Sequence, residues 1–89
     1  MEHWKQEIIQ SVKEINHVTT EQYSDVHSDR DIREEYDSLA YWLYYAAYQY
    51  QREGGKVEIR RGDMAFTYLR YGTVDDMYPV EAVFQDKNA

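Results

Sequence analysis

The sequence has no cysteine, which excludes disulfide scaffolds, thiolate zinc sites and cysteine nucleophiles and permits a reducing compartment. Its one proline and four glycines are scattered at apparent turns, too sparse for a linker or a low-complexity tail. Positive charge is scarce: 10 Lys and Arg stand against 17 Asp and Glu, for a formal net charge of −7. A general basic field that grips phosphate backbone or anionic lipid is thereby excluded, because that attraction scales with the charges neutralised. Long apolar runs are missing as well. The greasiest stretch, Leu39 to Tyr48, is half tyrosine and tryptophan and well short of the ~20 residues a membrane span requires. Met1 to Gln10 alternates charged and apolar residues without the apolar run of a secretory signal. These absences lead us to expect a soluble, cytoplasmic protein that contacts neither nucleic acid nor membrane directly.

What is present fits one small domain over residues 1–89, with 43% of positions apolar. A chain of this size buries only ~60% of the surface its unfolded form exposes, so added contact from a partner or a second copy would matter to its stability.

The N-terminal segment predicts a helix over about residues 2–16, because Trp4, Ile8, Val12 and Ile15 recur at spacings that share one face. Thr19 with Gln22 fits a capping box and predicts one short helical turn ending near Asp25. Ser28 or Asp29 can cap a second, longer helix over about 29–53. Its first turns hold Asp31, Glu34 and Glu35, favourable at the positive end of the helix dipole. Arg52 in the last turn and Gly54-Gly55 beyond it supply the stop.

From residue 56 the apolar period changes from helical to alternating, predicting a three-stranded antiparallel sheet over about 56–61, 64–71 and 80–85. With Gly62-Asp63 at the centre of a type II′ turn, Ile59 falls opposite Phe66 and Val57 opposite Tyr68. Val80, Ala82 and Phe84 alternate behind Pro79 as in an edge strand. The expected fold class is α+β, two main helices followed by that sheet and covering one of its faces.

The second helix carries the anomaly. Steps of 100° place Ile32, Tyr36, Leu39, Ala40, Leu43, Ala46, Ala47 and Tyr50 in one buried arc. The opposite side should be polar, yet it lines up Glu34, Asp37, Tyr41, Tyr45 and Tyr48, with Trp42 and Tyr44 at the flanks. Either the rings are sandwiched within the chain with their hydroxyls reaching water, or they form an exposed anchor for a partner, giving large contact area at low entropy cost.

Charge is equally lopsided. Residues 1–50 hold 10 acids and 4 bases, residues 51–89 hold 7 and 6, and the densest acidic run, Asp25, Asp29, Asp31, Glu34, Glu35 and Asp37, leads into the tyrosines. Such a run serves a helix start as a solvated, dipole-matched turn. It also presents negative charge to a basic groove and speeds association. In acidity, size and lack of cysteine the chain resembles the small acidic inhibitors that bacteriophages and mobile elements make against host enzymes, nucleic-acid mimics and anti-CRISPR proteins among them. Those proteins share no single fold, so the resemblance transfers no site residue. It implies a larger host protein as partner, one with a basic nucleic-acid-binding groove. Arg60, Arg61 and Arg70 depart from a uniformly acidic mimic, and pairing with Glu58 or Asp63 would account for them.

Other chemistry finds little footing. Asp25-x-His27-x-Asp29-x-Asp31 alternates metal-ligand types, but a calcium loop counted from Asp25 has Arg30 where glycine is needed and Tyr36 where a bidentate Glu is needed. His3, His17 and His27 have no i, i+4 spacing for a transition metal. Glu34-Glu35 and Asp75-Asp76 are adjacent without any reason to converge, and there is no phosphate loop, nucleophile elbow or HExxH. Arg61-Gly62-Asp63 is what a hairpin turn wants. We therefore expect no enzyme, cofactor or metal, and a binding protein that inhibits or modulates its partner through Asp29, Asp31, Glu34, Asp37, Tyr41, Trp42, Tyr45 and Tyr48. The competing expectation is a homodimeric assembly or scaffold subunit that pairs the same stripe with its own copy.

Overall fold

The computed structural model describes residues 1–62 and 77–85. Three helices, α1 (Glu2–Val18), α2 (Glu21–Val26) and α3 (Asp29–Arg52), precede two strands, β1 (Val57–Arg61) and β2 (Val80–Phe84). The class is α+β, with helices followed by an antiparallel sheet. The apolar periodicity of α1 does what its spacing dictates: Ile8 and Ile15 are fully buried, while Trp4 and Val12 pack at the edge of the core.

The helix runs to Val18, two residues past the sequence-based bound, and this shifts the next cap. Thr19 is buried as the C-cap of α1, with its hydroxyl donating to the Asn16 carbonyl at 3.0 Å. The N-cap of α2 therefore falls to Thr20, whose Oγ1 accepts from the Tyr23 amide at 3.3 Å, and the expected Thr19–Gln22 capping box is not formed. At the start of α3 the cap is Ser28, accepting from the Asp31 amide at 3.1 Å. Its far end is stopped by Gly54 at φ 97°, a conformation a Cβ would strain. Gly55 lies so close under the Tyr50 ring that any side chain there would collide with it.

β1 and β2 pair antiparallel, with Val57 opposite Phe84, Ile59 opposite Ala82 and Arg61 opposite Val80. That register puts Val57, Ile59, Val80, Ala82 and Phe84 on one face, against the helices, as the alternation required. The strand expected over 64–71, with its Ile59–Phe66 and Val57–Tyr68 pairings, lies outside the described residues, as do Arg70 and Asp75-Asp76.

Polar links lock the layers together. The Asn16 carboxamide bonds both backbone groups of Val80, accepting from its amide at 2.7 Å and donating to its carbonyl at 2.9 Å. Gln51 donates to the Val57 carbonyl at 3.0 Å. The buried Tyr36 hydroxyl donates to the Tyr78 carbonyl at 2.7 Å, satisfying two groups that would otherwise be costly to hide. Among the described residues no helix is long and apolar enough to cross a membrane.

Candidate interaction surface on the long helix

α3 presents two unlike faces. Ile32, Tyr36, Leu43, Ala46, Ala47 and Tyr50 are buried, and Leu39 and Ala40 pack against them, so the arc expected to be core is core. α1 runs antiparallel along one flank of α3, and the sheet closes over its C-terminal end, where Tyr50 meets Phe84 edge-on at 5.5 Å. Nothing among the described residues covers the outer face. Tyr41, Tyr44 and Tyr48 there expose 80%, 60% and 59% of their surface. Tyr44 was placed at a flank by sequence and belongs with this set; its 100° steps put it within the same outward half of the helix.

Trp42 and Tyr45 behave differently from their neighbours. Their rings stack on each other at 5.5 Å, and both meet Trp4 of α1, at 6.0 Å for Trp42 and 5.7 Å for Tyr45. The Trp42 indole N–H donates to Glu7 at 3.1 Å. These two remain 40% and 44% exposed, so they form a half-buried, ring-packed border beside the more exposed tyrosines. Trp4 is the residue that sequence reasoning left out of the site. Its helical spacing marks it as core-facing, and only the antiparallel docking of α1 on α3 carries it to Trp42 and Tyr45. Beyond the border, Asp37, Ser38, Tyr41 and Trp42 line a shallow open groove.

The acidic residues split into two sets. Glu34 and Asp37 lie on the tyrosine line, and each has an arginine one turn before it: Arg30 at 3.1 Å from Glu34 and Arg33 at 3.7 Å from Asp37. Such exposed i, i+4 pairs contribute little to stability, but they soften the negative field at this point. Asp29 and Asp31 stand in the first turn, ~18 Å along the axis from Tyr41 for Asp29 at 1.5 Å per residue. The structure thus brings Glu34 and Asp37 to the aromatic stripe and leaves Asp29 and Asp31 at the far end. At the opposite end, the Arg52 guanidinium sits 5.9 Å from the Tyr48 ring, a cation–π geometry.

The side chains of the alternating Asp25 to Asp31 run do not converge as a set of three. The His27 ring lies flat on Tyr23 at 3.8 Å with its Nδ1 2.9 Å from the Tyr23 carbonyl oxygen, and no cluster of three His, Asp or Glu side chains suited to a metal occurs among the described residues. Tyr23 also meets His17 edge-on at 5.2 Å. Its phenol is pushed above its ordinary value by burial and then by the carboxylates of Glu35 and Asp31. On the sheet, Arg60 pairs with Glu58 along β1 at 2.9 Å. This hydrogen bond and the guanidinium charge hold the Glu58 carboxyl below its ordinary value. Arg61 instead stacks over Tyr78 at 4.4 Å. The basic residues of the strand are therefore engaged locally.

Compared with protein-family models, with curated proteins and with solved structures, the chain matches none.

Proposed function

We propose that this chain is a non-enzymatic binding protein that inhibits or modulates a larger protein partner, with the outer face of α3 as its docking element. The observation that carries this reading is the exposure of Tyr41, Tyr44 and Tyr48 on a helix whose other face is sealed. Tyrosine serves both states: its hydroxyl keeps the free surface hydrated, and its ring supplies contact area with few rotamers to freeze. Trp42 and Tyr45, held by Trp4, form the pre-ordered side of the anchor. The acids at the start of α3 steer the helix toward a basic rim, such as that of a nucleic-acid-binding groove.

The test is capture from an extract of the source cell, with the intact chain and a Tyr41→Ser, Tyr48→Ser variant immobilised side by side. A protein retained by the first, released by salt and lost from the second supports the reading. Equal retention by both counts against it.

A further inference from the structure

The outer face of α3 is complementary to itself. Midway between Tyr44 and Tyr45 lies a point about which Tyr41 mirrors Tyr48 and Asp37 mirrors Arg52 in sequence position. Steps of 100° place these four residues within about 60° of one another on the outward side. An antiparallel copy related by a two-fold axis through that point sets Tyr41 over the partner's Tyr48 and Asp37 level with the partner's Arg52. Asp37 already has Arg33 beside it, so the partner's Arg52 brings a second cation to the same carboxylate.

The formal charge of −7 sets two copies against each other overall. Its distribution removes the objection. Between residues 37 and 52 the only charged side chains are Asp37 and Arg52, so the overlapping segments are each neutral. Asp29, Asp31 and Glu34 project past the overlap into solvent, where salt screens them.

Area points the same way. Aromatic side chains of ~150–250 Å² each, exposed to the extent seen here, offer on the order of 500 Å² per copy, or ~1,000 Å² in a pair. That is the lower edge of what a specific interface needs, and it fits a dimer that dissociates on dilution.

We propose that a second copy of this chain is the resting occupant of the outer face of α3, packed antiparallel about the Tyr44–Tyr45 midpoint, and that a larger partner must displace it. The inference rests on the reading of that face as a docking surface. Self-association then sets how much free docking surface exists at a given concentration.

Sedimentation velocity of the full chain, across a micromolar-to-millimolar dilution series, tests it. The expected result is a concentration-dependent shift from monomer to dimer, weakened about threefold to tenfold by Asp37→Arg or by Arg52→Asp alone and restored when both are combined. Tyr48→Ser should remove the dimer while leaving the circular dichroism unchanged. A chain that is monomeric throughout overturns the second copy, as does a dimer indifferent to Tyr48→Ser and to both charge reversals. The capture experiment separates the two readings. A monomer that retains a protein through Tyr41 overturns the second copy alone, whereas a dimer from an extract that yields no retained protein overturns the larger partner alone.

Discussion

Tyr36 and Tyr50 share a helix with Tyr41, Tyr44 and Tyr48, and the two sets have opposite fates. The first pair is buried: Tyr36 donates its hydroxyl to a hidden carbonyl, and Tyr50 packs between Phe84 and the close backbone of Gly55. The second set stands in solvent. Residue type and helical propensity are the same in both, so what separates them is angular position relative to α1 and the sheet. The same ring holds the fold together on one side of α3 and stands exposed on the other.

The largest effect that sharpens this contrast is expected at Tyr50. Tyr50→Ala removes the ring at the centre of the helix–sheet contact and should cost ~3–5 kcal/mol of stability, measured by urea unfolding. A loss similar to that of Tyr48→Ala would erase the distinction between the faces.

Next in size is Tyr36→Phe, which keeps the ring but strands the buried Tyr78 carbonyl and should cost ~1–3 kcal/mol in the same assay. Tyr41→Ala belongs to the other face. It should leave stability within ~0.5 kcal/mol while weakening a captured partner by about 1–3 kcal/mol, read by titration calorimetry. Tyr45→Ala is the intermediate case, because its ring also supports Trp4 and Trp42, and it should lower both quantities.

Smaller still is the effect of charge. Neutralising Asp29, Asp31, Glu34 and Asp37 together should slow association with a basic partner and flatten its salt dependence, with little change in dissociation. An unaltered on-rate in stopped flow would remove the steering role.

The smallest effect is a pH effect. The Glu58 carboxyl is held low by Arg60 in the folded chain, so its contribution is present above the unfolded carboxylate range and fades as pH falls through the folded value. Glu58→Gln should make the acid limb of the stability curve slightly shallower. The pair is exposed and screened, so the change should be slight.

Much of this arrangement was legible along the chain. The core arc of α3, the Ser28 cap, the Gly54 stop and the alternating inward residues of β1 and β2 follow from local periodicity and backbone preference, which act over a few residues and leave their mark in order. The capping box at Thr19 misread a boundary: burial of Val18 and Thr19 draws α1 two residues further, and burial is a tertiary matter. Trp4 was missed for a related reason. Its place beside Trp42 and Tyr45 depends on how two helices cross, and nothing within either helix encodes that alone.

The amino-acid order by itself determined that α3 has an apolar arc and an aromatic line opposite it, because a 3.6-residue period converts spacing into faces without reference to the rest of the molecule. Only the packing of α1 and the sheet decided whether the aromatic line is covered as well as the apolar arc. Helices bury whatever side their neighbours reach, and this small chain places both neighbours around the core arc, leaving the tyrosine line to water.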